Sequence, residues 1–143
     1  PNEKITKISK RLKLPKSLQV NLQQTHFLIE EMPKLVEKKA SQIYTVLKEV
    51  STTVLYIVHF FFHDQEKILQ IIDLYLNEWR KIKPYTNGNT LQEKGISPSP
   101  IYKQIFQQLN AAWIDGEIIS RSEEEQYLQS LLNSLSLKGK TPS

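Results

Sequence analysis

The chain has 143 residues, 39% of them apolar, and a mean hydropathy of −0.42, which describes one fairly polar domain with enough length to bury a core. It has no cysteine, which excludes a disulfide framework and thiolate zinc ligation and suits a reducing, cytoplasmic setting. The net charge of +4 is unevenly spread, and two basic clusters account for it: residues 1–16 carry Lys4, Lys7, Lys10, Arg11, Lys13 and Lys16 against Glu3 alone, and Arg80, Lys81, Lys83, Lys94 and Lys103 face only Glu93 between residues 80 and 103. Clustered cations suit a polyanion, because neutralising phosphates releases counterions; a solvated face with a basic tail is the alternative.

Residues 1–16 read as a basic arm or linker ending near Pro15. The chain opens on proline rather than methionine, as expected of a piece of a longer protein, and no signal peptide is recognisable. From Ser17 the spacing becomes helical. Leu18, Leu22, Ile29 and Met32 share a face up to a break at Pro33, and Ala40, Ile43, Tyr44, Leu47 and Val50 form the next stripe. Val54–Phe62 is the longest apolar run, far short of the roughly 20 residues a membrane span needs, so no membrane contact is expected. Its β-branched and aromatic content suits a strand, but no second strand exists to pair with it, so a buried helix is expected. Asp64 is placed to cap the following helix, whose inward face is Ile68, Ile72, Tyr75, Leu76 and Trp79 and which ends before Pro84.

A loop over 85–89 leads to Thr90 and Glu93, which have capping-box spacing and predict a short helix from Leu91 to Lys94, closed by Gly95. Then comes Ile96-Ser97-Pro98-Ser99-Pro100, with Ser99 as cap and Pro100 at the first position of a helix carrying Ile101, Ile105, Leu109, Ala112 and Trp113. Gly116 is expected to terminate it in a left-handed conformation. Ser120 and Glu123 repeat the capping-box spacing before a last helix through Leu128, Leu131, Leu132 and Leu135. The acidic run Glu123-Glu124-Glu125 falls in its first turn, where negative charge complements the helix dipole. The fold class is therefore all-α, an array of six to seven helices with short Gly/Pro turns. A helical domain over 17–136 is followed by a flexible tail over 137–143.

Chemistry-bearing patterns are few. His59 and His63 share a helical face, but without a companion glutamate in the spacing a zinc site needs, and no metal site is expected. The chain has no glycine-rich phosphate loop, nucleophile elbow or paired carboxylates for two-metal catalysis, so no catalytic residue is assigned. The stretch Gly95–Lys103 is different. A helix entrance presents free N–H groups and the positive end of the macrodipole. Around it Lys94 and Lys103 offer charge, Ser97 and Ser99 hydroxyls, and Tyr102 a stacking surface. A plain inter-helix turn explains the same residues, and both readings stand.

Three groups of residues, in order, form a recognisable pattern: Gly88 and Leu91; Gly95, Ile96, Pro98 and Pro100; then Ala111-Ala112-Trp113-Ile114-Asp115-Gly116. Together with Tyr75-Leu76, Trp79-Arg80 and Lys83-Pro84 before them, they resemble the C-terminal region of bacterial tRNA nucleotidyltransferases of the poly(A) polymerase family, the CCA-adding and A-adding enzymes. The resemblance is specific over roughly residues 72–128. Ser99 departs from it, because the family has glycine there and a left-handed serine would be strained. The resemblance implies a helical body or tail region that grips tRNA; RNA-binding is expected at Arg80, Lys81 and Lys83 from their charge cluster, and at Lys94, Ser97, Ser99, Tyr102 and Lys103 from the chemistry of the helix entrance. It also implies that Mg2+, ATP or CTP and the nucleotide-transfer chemistry belong to an N-terminal head that this chain contacts but does not contain. CCA addition, A addition and polyadenylation are not distinguished. A helical dimerisation or protein-interaction module is the alternative, while a DNA-binding helix-turn-helix lacks a recognition helix with Arg, Asn or Gln on an exposed face.

Overall fold

The computed structural model describes residues 2–138; the part of the expected tail beyond Lys138 lies outside the described residues. Among them there are eight α-helices and no strand: α1 Asn2–Leu12, α2 Lys16–Leu35, α3 Ala40–Leu47, α4 Thr52–Phe61, α5 Glu66–Asn77, α6 Gly88–Glu93, α7 Ile101–Ile114 and α8 Arg121–Lys138. A 3-10 turn, Trp79–Lys81, follows α5. The protein is all-α. No helix is long and apolar enough to cross a membrane, among the described residues. The helices fall into two compact units that divide between Arg80 and Lys81, inside the span expected to be one helical domain.

The first unit holds α1 to α5. Its core is Leu28, Met32 and Leu35 from α2, Ile43 and Leu47 from α3, Val54, Leu55 and Val58 from α4, and Ile68, Ile72, Tyr75 and Leu76 from α5. The closest packing is between α2 and α4. Polar side chains fix that approach: Gln24 of α2 donates from Nε2 to the Glu49 carbonyl (3.1 Å) and accepts from the Ser51 N–H, while Asn21 accepts from the Ser51 hydroxyl. Ser51 in turn caps α4 by accepting the Val54 N–H.

Four expectations need correction here. The basic arm is helical as α1, because Ile5 and Ser9 lie one turn apart and turn inward, and the helix packs on α2. Its end is a left-handed Lys13 (φ 51°), with the Leu14 N–H reaching back to the Ser9 carbonyl at 3.1 Å. Helix α2 does not break at Pro33 but runs to Leu35; the ring removes the one N–H that would bond the Ile29 carbonyl, and the helix continues two residues past it. Helix α4 is a helix as expected, yet only one side of it is buried, and Tyr56, Ile57, Phe60 and Phe61 remain exposed. Asp64 does not cap α5, which begins after Gln65 with no side-chain cap. The two histidines go separate ways: His59 Nε2 lies 3.2 Å from Asp73 Oδ1, whereas the His63 ring lies against Phe60.

The second unit packs α6, α7 and α8 around Leu91, Ile105, Leu109, Ala112, Ile118, Leu128 and Leu131. Ile96, Ile101, Tyr102, Phe106 and Trp113 close over that cluster from its rim.

Candidate nucleic-acid interface

The turn between α6 and α7 is built by two helix ends. Asn87, not Thr90, caps α6: its Oδ1 accepts the Thr90 N–H at 3.0 Å, and Thr90 Oγ1 accepts the Asn87 N–H in return. The expected Thr90–Glu93 box is thereby displaced three residues upstream, since Asn accepts the same bond that Thr or Ser would. At the other end Gly95 sits at φ +81°, with the Gly95 N–H bonded to the Gln92 carbonyl (2.9 Å) and the Ile96 N–H to the Leu91 carbonyl (3.0 Å). This is a Schellman cap, and it drops Ile96 onto the core beside Leu91. Gly116 (φ +75°) repeats the device after α7, with Glu117 N–H reaching the Ala112 carbonyl at 2.9 Å and Ile118 delivered to the core. Two of the motif glycines thus answer a backbone requirement. No atom lies within 4 Å of a Cβ built at Gly95, so the Gly95→Ala cost is the left-handed backbone alone. It is expected to be about 1–2 kcal/mol in a urea titration with no change in helix content.

Helix α7 begins at Ile101 with Pro100 at its cap, one residue later than expected, and no side-chain cap bond is made there. Ser99 contributes its carbonyl, which accepts the Tyr102 N–H at 3.0 Å. Among the described non-glycine residues only Lys13 has positive φ, so Ser99 carries none of the strain that glycine would avoid. Tyr102 is half-buried: its hydroxyl donates to the Ile96 carbonyl and its ring stands edge-on to Phe106 at 6.1 Å. It therefore braces the turn more than it offers a face for stacking. Ser97, Pro98, Ser99 and Pro100 are exposed, as are Lys94 at the end of α6 and Lys103 in the first turn of α7. Neither lysine has a carboxylate within ion-pair distance among the described residues. Lys81 and Lys83 are exposed in the segment leading to α6, and Arg80, in the first unit, donates Nε to the Leu76 carbonyl at 2.8 Å.

The feature that sequence reasoning missed is Glu124. Expected to complement the helix dipole in the first turn of α8, it is instead buried, at 1% exposed. Its Oε1 accepts the Thr86 N–H (2.7 Å) and the Thr86 hydroxyl (2.6 Å); its Oε2 accepts the Tyr85 N–H (3.0 Å) and the Trp113 indole N–H (2.6 Å). Burial pushes the carboxyl pKa upward, but the bonds from Thr86, Trp113 and Tyr85 outweigh it and hold it below the ordinary value. One buried carboxylate thereby fixes the 85–86 segment against α7 and α8, and with it the entrance of α6. Glu123 behaves closer to expectation: Ser120 Oγ accepts its N–H, and its own carboxylate accepts the Ile119 N–H at 2.7 Å. The sequence signal for Glu124 is Thr86 and Trp113, two donors at unremarkable spacing that only the fold brings together.

No family model matches the chain, and no solved structure matches it. Among curated proteins it is similar to the A-adding tRNA nucleotidyltransferase of Halalkalibacterium halodurans, with 26% identity over 68 residues. The matched segment is 48% of this chain and 16% of that protein, so the chain spans a small part of its relative's length.

Proposed function

We propose that the second unit is a tRNA-binding module of a nucleotidyltransferase-type protein, and that it positions tRNA rather than transferring nucleotides. The observation that carries this is the α6–α7 turn. There a glycine-capped helix end leads directly into a second helix entrance, with Lys94 and Lys103 uncompensated on either side. Free N–H groups and two lysines hold phosphate oxygens without reading bases, which suits the shape-led recognition of folded RNA. The similarity to an A-adding enzyme supports tRNA as the polyanion. On this reading the nucleotide and Mg2+ are bound by a head carried elsewhere, and the module's contribution is orientation of the RNA end toward that head. The test is competition. Labelled tRNA bound to the chain should resist displacement by heparin at equal charge concentration, and its affinity should fall steeply with salt. Equal displacement by heparin at every salt concentration removes the specific claim.

A second reading is favoured by a different observation. The exposed face of α4, with Tyr56, Ile57, Phe60 and Phe61, is the kind of apolar surface that a protein partner covers. If the chain is instead a helical association module, its mass in solution rises with concentration and tRNA leaves that behaviour unchanged.

A further inference from the structure

Tyr85 combines two properties that rarely coincide. The residue is 60% exposed, yet its backbone is tethered by the bond from its N–H to buried Glu124. The ring is tilted 53° to Trp113 at 6.1 Å, and the Arg121 guanidinium carbon lies 5.8 Å from its centroid. An exposed aromatic side chain held in place on a fixed backbone is a stacking platform prepared in advance, with little ordering left to do on binding.

The platform lines a groove of about 350 Å³, together with Thr90, Glu93, Lys94, Arg121 and Glu125. That volume lies within the range of small-ligand sites. Its chemistry is mixed: a π face from Tyr85, cations at Lys94 and Arg121, and carboxylate acceptors at Glu93 and Glu125. Arg121 shares its charge with Glu125, whose Oε1 is 3.7 Å from Arg121 Nε, which leaves Lys94 as the cation free for a phosphate. A duplex offers no open base face, whereas an unpaired nucleotide offers a flat ring, a phosphate and, for adenine, cytosine or guanine, an exocyclic amine to donate to a carboxylate.

We propose that this groove binds one unpaired, amino-bearing nucleotide of the RNA, its base stacked on Tyr85 and its phosphate toward Lys94. The proposal rests on the tRNA-binding reading and adds a base-contacting subsite to it. A single residue carries the stacking, and its side chain takes no part in holding Glu124, so Tyr85→Ala removes the ring while keeping the N–H bond.

The experiment uses the full chain with Tyr85→Phe, Tyr85→Ala and Lys103→Glu, the last lying outside the groove. The probes are tRNA and a single-stranded RNA of about ten nucleotides carrying 2-aminopurine. The expected result is that Tyr85→Phe binds as the parent does, while Tyr85→Ala loses about tenfold in affinity for both probes, together with the fluorescence change of the stacked 2-aminopurine. Parent-like affinity and fluorescence in Tyr85→Ala overturn the proposal, as does the absence of any fluorescence change with the parent chain. If Lys103→Glu weakens tRNA binding while Tyr85→Ala is inert, the groove assignment falls and the tRNA reading stands. If instead tRNA binds no better than heparin, that reading falls, and the oligonucleotide fluorescence still decides the groove.

Discussion

Replacing Glu124 with alanine is expected to remove most of the stability of the second unit, about 3–5 kcal/mol in a urea titration followed by tryptophan fluorescence. The reason is asymmetric. Four donors lose their acceptor at once, and the Thr86 N–H is buried where water does not replace it. A buried donor left unpaired costs about 1–3 kcal/mol. A unit of this size is held together by roughly 3–9 kcal/mol in total. Glu124→Gln keeps the shape but turns an NH2 group toward two of the donors, so about 2–3 kcal/mol should be lost. The parent and Glu124→Gln also separate by pH. Because the folded-state pKa of Glu124 is depressed, its contribution is fully present above the unfolded value, near 4.3, and disappears as pH falls through the folded one. The gap between parent and Glu124→Gln should therefore be widest at neutral pH and narrow below about pH 4. A gap that stays constant down to pH 3 would show that folding does not depress the pKa of this carboxyl.

Reversing Lys94 and Lys103 together to glutamate should lower tRNA affinity by about 100-fold at moderate salt, since each charge-assisted bond is worth about 1.5–3 kcal/mol before surface screening. Both side chains are exposed, so the helical signal and the urea midpoint should stay at parental values. The salt dependence carries the sharper information. For every phosphate that is no longer neutralised, the slope of log affinity against log salt should flatten by roughly 0.7–0.9. A double variant with an unchanged slope still neutralises as many phosphates as the parent, whatever its affinity.

The sequence makes the helices legible because most carry their own punctuation. Gly95 and Gly116 mark left-handed caps in advance, and the stripes of α3, α5 and α7 repeat at three and four residues. Errors arise where two local rules compete. Asn87 and Thr90 are both good caps, and the earlier one wins, so that α6 starts at Gly88. In α1 the lysines hide a short inward stripe, whose value depends on α2 being there to receive it. Pro33 costs α2 one backbone hydrogen bond, yet the helix carries past it to buried Leu35, a packing contact that no local pattern announces.

The candidate site was legible in part. Its turn residues and lysines are adjacent in sequence, so their clustering needs no fold to reveal it. A second role of Tyr102 is not legible locally: its hydroxyl finds the Ile96 carbonyl six residues back and braces the turn. Glu124 and Tyr85 were invisible as a pair: they lie 39 residues apart, and nothing in an acidic run at a helix start distinguishes the one carboxylate that turns inward. Long-range polar contacts of this kind are specified by the core that brings them together, not by any local pattern.

Hydrogen–deuterium exchange of the chain with and without tRNA tests the central claim most directly. Exchange should slow at the amides between residues 95 and 103, Pro98 and Pro100 having none, while α4 exchanges as before. Protection confined to the first unit, with residues 95–103 unchanged on saturation with tRNA, would contradict the assignment of this turn as the RNA-binding surface.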